Sequence, residues 1–127
     1  MEALNRLVEK RKHPRFSIEL PLEYRVTNTP QAHGAMAVNV SEEGLLVHSV
    51  NNMPVGSELT IAVLFPKGFE LTNFKVLAEV VWKDLQLEEN SVGYQLGLKF
   101  VHIQEEDRQK LKELLGNGHD REASHEK

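Results

Sequence analysis

The sequence predicts an all-β fold of about six short antiparallel strands with one helix at the C-terminal end. Three observations carry this. Apolar and polar residues alternate in segment after segment, as half-buried strands require. Turn-forming clusters (TNTPQAHG, SEEG, PKG, EENSVG) separate those segments, and no helical pattern intervenes between them. The longest helical spacing of leucines comes after the last of these segments, in QEEDRQKLKELLG. At 127 residues, 40% hydrophobic and 27% charged, the chain fits one globular domain with one core.

Taken in order, Leu4, Leu7 and Val8 sit at helical spacing and suggest a short amphipathic helix over 2–10. Pro14 ends it by pushing His13 toward an extended conformation. FSIELPLEYRV then alternates Phe16, Ile18, Leu20, Leu22, Tyr24 and Val26 on one face, and Pro21 within it points to an edge position or a bulge. AMAVNVS and LLVHSV flank the SEEG turn. In the first of them Met36, Val38 and Val40 are expected to face inward. Ala35, Ala37, Asn39 and Ser41 are expected outward, as a small, polar surface on which a flat ligand can lie.

Leu59, Ile61, Val63 and Phe65 mark the next strand, and Phe74, Val76, Ala78, Val80 and Trp82 the one after it. Tyr94, Leu96, Leu98 and Phe100 mark the last, after an EENSVG turn. The pattern suits a barrel or a sandwich, with Phe16, Ile18, Leu20, Val38, Ile61, Val63, Val80, Leu98 and Phe100 inside. Leu111, Leu114 and Leu115, with Ile103 just before, define a helix over about residues 104–115. Glu105, Glu106 and Asp107 suit its positive N-terminal end, and Gly116 is a suitable stop. Residues 117–127, NGHDREASHEK, have little to bury and are expected to be a disordered tail.

Composition excludes several functions. Without cysteine there is no disulfide, thiol nucleophile or thiolate metal site. The six histidines show no metal-ligand spacing, so neither a metal nor a cofactor is expected. No nucleophile elbow, glycine-rich phosphate loop or activated nucleophile is present, so the chain is not expected to be an enzyme and no catalytic residue is assigned. Trp82 is expected in the core or at a rim rather than as a stacking platform. No apolar run reaches the length of a signal peptide or a membrane span, which points to the cytoplasm without membrane insertion. The net charge of −4 argues against a general nucleic-acid binder.

The charge is unevenly spread. Residues 1–15 hold five Lys/Arg against two acids, a net +3 that leaves −7 for the remainder. Within that arm RKHPRF places Arg11 and Arg15 four residues apart around Pro14. Guanidinium suits phosphate, through paired hydrogen bonds, and guanine, through O6 and N7. The second polar cluster is NVSEEG. Asn39 offers both donor and acceptor, Ser41 a hydroxyl, and Gly44 a backbone that turns or that a ligand approaches closely. The same four residues SEEG also read as a hairpin turn, with Ser41 bonding its own backbone and Gly44 at positive φ.

RKHPR and NVSEEG, separated by 23 residues, together resemble the PilZ domain, the bacterial receptor family for cyclic di-GMP, whose pattern is RxxxR followed by [D/N]xSxxG. EVVWKD followed by YQLGLKF resembles the family's late strand pair. The resemblance implies a six-stranded antiparallel barrel over residues 16–116, capped by the C-terminal helix and preceded by an arm over 1–15. It implies that Arg11 and Arg15 clamp phosphates and guanine, that Asn39, Ser41 and Gly44 form the barrel side of the site, and that Lys10 and Lys12 add positive field. Asn39 stands where aspartate is commoner in the family, which removes a charge-assisted bond to guanine. The implied function is a cyclic di-GMP receptor whose arm orders over the ligand and signals to an unidentified effector protein, as a monomer or a homodimer. The alternative is an interaction module with the same fold that binds no nucleotide.

Overall fold

The structure, a computed structural model, describes residues 16–88 and 91–126, with side chains described over 18–87 and 92–116. Six strands precede one helix: β1 (Phe16–Val26), β2 (His33–Val40), β3 (Gly44–Ser49), β4 (Glu58–Lys67), β5 (Glu70–Glu88), β6 (Ser91–His102) and α1 (Glu105–Glu126). They form a closed barrel in the order β1-β2-β3-β6-β5-β4, every neighbouring pair antiparallel. Pairing of β1 with β4, from Leu22↔Val63 to Val26↔Leu59, closes the ring. The expected N-terminal helix over 2–10 and the whole arm to Arg15 lie outside the described residues.

The alternation read from the sequence holds through most strands. Leu20, Leu22 and Tyr24 of β1, Leu59, Ile61, Val63 and Phe65 of β4, and Phe74, Val76, Ala78 and Val80 of β5 are all buried. Phe65, Phe74 and Phe100 form a ladder of rings with centroids 6.2 and 6.4 Å apart. Of the residues expected inside, Leu20, Ile61, Val63, Val80 and Leu98 are buried, and Ile18 and Phe100 are half-buried against the core. The Phe16 side chain lies outside the described ones. Pro21 faces Met36 of β2 just after an irregularity between Ser17 and Leu20, and the β1·β4 ladder begins one residue later, at Leu22. Pairing on one side only is what an imino acid without an N–H tolerates.

β2 departs from the expected phase. Ala37 and Val40, three apart, are both fully buried, Met36 is 38% exposed, and Val38 and Asn39 are only half-buried. The β2·β3 register shifts between Ala37 and Asn39, so Val38 is the extra residue of a bulge. One inserted residue moves every following side chain to the other face. Val38 is therefore not a core residue. The outward row expected from Ala35, Ala37, Asn39 and Ser41 does not exist as one face, because Ala37 and Ser41 are buried.

Two boundaries also differ. The late hairpin is longer than EENSVG suggested, since Leu87↔Val92 and Glu88↔Ser91 are already paired. α1 starts where expected but runs on to Glu126, past Gly116, so residues 117–126 continue the helix instead of forming a separate tail. Gly116 does not take the positive φ that a glycine helix stop uses, so nothing reverses the chain there. Leu111 and Leu114 of α1 enter the barrel core, and the Lys75 backbone N–H of β5 donates to Asp107 Oδ1 at 2.8 Å. Two such leucines contribute about 1.5–3 kcal/mol each when fully buried.

Candidate functional site

The β2–β3 turn is built by Ser41. Its N–H donates to the Gly44 carbonyl at 3.0 Å, and its Oγ accepts from the backbone N–H groups of Glu43 and Gly44, both at 3.2 Å. Ser41 is 4% exposed, so its hydroxyl serves the turn from inside. The Phe100 N–H donates to the Glu43 carbonyl at 2.8 Å and ties the turn to β6. Gly44 does not have positive φ, unlike Gly56 and Gly68. A glycine is needed here for another reason: a Cβ on Gly44 would collide with the carbonyl oxygen of Leu98.

Beside this turn lies an open cleft of about 680 Å³, a size typical of small-molecule sites. One wall is the turn itself, from Ser41 to Gly44. The opposite wall is Val81 and Trp82, where β5 bulges between Val80 and Trp82. The floor is the end of β6, and Arg108 of α1 borders it. Trp82 pairs with Gly97, and its indole occupies the space that a side chain on Gly97 would need. Trp82 is 37% exposed and lines the cleft, so part of its surface is offered there. Lys99, directly opposite Gly44, and Arg108 supply positive charge, while Glu42 and Glu43 carry the acidic charge of the turn.

Of the residues proposed from sequence, the structure thus brings Ser41 and Gly44 to the cleft. Asn39 lies just before them on β2, half-buried and opposite Ser17 and Leu46, and does not line it. Arg11, Arg15, Lys10 and Lys12 lie outside the described residues. Phe16 pairs with Val40, so β1 enters the barrel beside the turn. Sequence reasoning did not single out Lys99 and Arg108, and it placed Trp82 in the core or at a rim without assigning it to the site. The available signal was Gly97, an interior strand glycine that marks a close approach. Among the described residues no group of three or more His, Asp or Glu is placed to hold a metal ion. No described helix is long and apolar enough to cross a membrane.

The family model for the PilZ domain matches residues 9–117. The chain belongs to the PilZ family. Among solved structures, the fold of this PilZ chain is similar to the PilZ domain of YcgR from Escherichia coli with c-di-GMP, at TM-score 0.68 and 12% identity, covering 92% of this chain and 96% of that one. It is also similar to MotI, the inhibitor of motility of Bacillus subtilis (TM-score 0.69, 17% identity, covering 91% of this chain and 52% of that one). A third similarity is to the MrkH–c-di-GMP complex from K. pneumonia (TM-score 0.67, 12% identity, covering 93% and 56%). The chain therefore spans about half the length of MotI and MrkH. By sequence it has no significant match among curated proteins. These likenesses establish the fold, a closed six-stranded PilZ barrel with its C-terminal helix.

Proposed function

We propose that this PilZ protein is a cyclic di-GMP receptor, with the ligand held between the basic arm and the cleft beside Ser41–Gly44. One observation carries the reading: the SEEG turn is shaped by a buried serine and a sterically required glycine, and it forms one wall of a ligand-sized cleft. Arg15 is bonded to Phe16, which pairs with Val40 next to that turn. Arg11 is four residues further out, about 14 Å of extended chain at most. On this reading both guanidinium groups grip phosphate and guanine, with Lys10 and Lys12 adding positive field. Gly44 serves the barrel side, Asn39 meets only a part of the ligand that reaches past the cleft toward β2, and the exposed part of Trp82 offers a flat surface for a purine. The ligand neutralises the self-repelling arm, and the resulting change in the arm is the signal to an effector protein. No reaction is involved.

Calorimetry on the full chain with cyclic di-GMP, GTP and cyclic di-AMP tests this, with binding of the first alone expected. Hydrogen exchange across residues 5–16 should then show protection on adding cyclic di-GMP. A second reading, a PilZ-fold interaction module without nucleotide, is favoured by the engagement of the Ser41 hydroxyl with its own turn. Absence of heat with all three nucleotides would select it.

A further inference from the structure

Past Val80, β5 leaves β4 behind. The β4·β5 ladder ends at Glu58↔Glu79, and Val80 is bonded on that side through Gly56 N–H to Val80 O (2.7 Å) and Val80 N–H to Ser57 O (2.9 Å). From Trp82 to Glu88 β5 pairs with β6 alone, so among the described residues its outer edge has no backbone partner. Lys83 lies opposite the fully buried Leu96, which places Lys83, Leu85 and Leu87 on the inward face of the sheet as it overhangs the barrel. Beyond Lys83 that face is apolar and uncovered: Leu85, Leu87 and Val92 are 50%, 72% and 55% exposed. A free edge beside an exposed apolar face is a template for strand pairing.

We propose that this edge pairs antiparallel with the same edge of a second copy of the chain, about a two-fold axis at Leu85, giving a homodimer with a sheet continuous across it. The order of charges along the edge points to a second copy as the occupant. A two-fold axis perpendicular to the sheet preserves faces, so it must pass through a residue position. At Trp82 it runs the pairing into Val80, whose N–H and C=O are already bonded to Ser57 and Gly56. At Lys83 or Asp84 it opposes like charges, at Gln86 it sets Asp84 against Glu88, and at Leu87 or Glu88 it runs the pairing into the hairpin turn. At Leu85 it sets Leu85 on Leu85, Asp84 across from Gln86, and Lys83 across from Leu87. This position opposes no like charges, and like charges directly opposite destabilise a strand pair. Within one chain the Gln86 amide already donates to the Asp84 carboxylate at 2.9 Å, and the Lys83 ammonium is held by Asn52 Oδ1 at 2.7 Å. The symmetric arrangement makes the Leu85 contact once, on the axis, and every other contact twice, and it closes on itself, so it stops at two copies.

Sedimentation equilibrium of the full chain should show a monomer–dimer equilibrium. Leu85→Asp should leave only monomer, with circular dichroism and thermal unfolding unchanged, because residue 85 is exposed in the single chain. Gln86→Asp should weaken the dimer and Gln86→Lys should tighten it, each by roughly tenfold, since two cross-strand pairs change at once. A chain that stays monomeric into the millimolar range overturns the proposal. So does a dimer that ignores both Leu85→Asp and the sign of the charge at position 86.

Discussion

Gly44 and the carbonyl of Leu98 are so close that no other residue fits at position 44 without moving a strand. The contact lies where β3 pairs with β6, at Gly44↔Lys99 and Leu45↔Leu98, on the edge of the cleft. Gly44→Ala should therefore cost stability even without ligand, by about 1–3 kcal/mol, as overpacking does. Thermal unfolding of the unliganded variant checks this: the midpoint should fall by several degrees. An unchanged midpoint would mean that the backbone relaxes freely there.

Ser41→Ala removes the acceptor for two backbone N–H groups at a buried position. The expected loss is about 1–3 kcal/mol in stability, with weaker ligand binding as a consequence of the loosened turn. Comparing unfolding midpoints with calorimetric affinities separates the two effects. If binding is lost while stability is unchanged, the hydroxyl acts on the ligand directly.

Trp82 is the sole tryptophan of the chain, so emission excited where tyrosine does not absorb reports on the cleft wall alone. Titration with cyclic di-GMP should change its emission. Trp82→Ala should weaken binding by about 1–3 kcal/mol, the usual worth of a base stacked on an aromatic ring. Stability should fall less, because the indole is partly solvent-exposed. Emission that is indifferent to a ligand shown by calorimetry to bind would place that ligand elsewhere.

In the arm, Arg15→Ala should reduce affinity roughly ten- to hundredfold, the value of a lost charge-assisted hydrogen bond. Arg6→Ala, outside the motif, should do far less. Lysine at position 11 should restore only part of the affinity, since it lacks the planar fork. Equal, small losses at Arg6 and Arg15 would reduce the cluster to general positive field.

The barrel was legible because side-chain alternation survives wherever strands stay in phase, as from Leu20 to Tyr24 and from Leu59 to Phe65. It failed at Val38 because a bulge is set by how three neighbouring strands fit, and the local pattern Met36-Val38-Val40 is equally good for an unbroken strand. The end of α1 was misread because glycine stops a helix only when it adopts positive φ, and Gly116 does not. Ser41 and Gly44 were legible as a pair, although the need for glycine arises from Leu98, distant in sequence. Trp82, Lys99 and Arg108 were not, since each joins the cleft only through barrel closure and helix docking.

The strand order has a mechanical consequence. β1-β2-β3 and β4-β5-β6 are each a simple up-and-down meander of neighbouring hairpins, and the ring exists because two seams, β3·β6 and β1·β4, join one meander to the other. The cleft straddles the first seam: Ser41–Gly44 belongs to one meander, Trp82 and the end of β6 to the other. A molecule bound across it acts as a staple. It resists the separation of two halves that are otherwise joined covalently only through the chain between Ser49 and Glu58. Such a staple slows unfolding more than its contacts with either half alone would suggest, because opening the seam and releasing the ligand become one event.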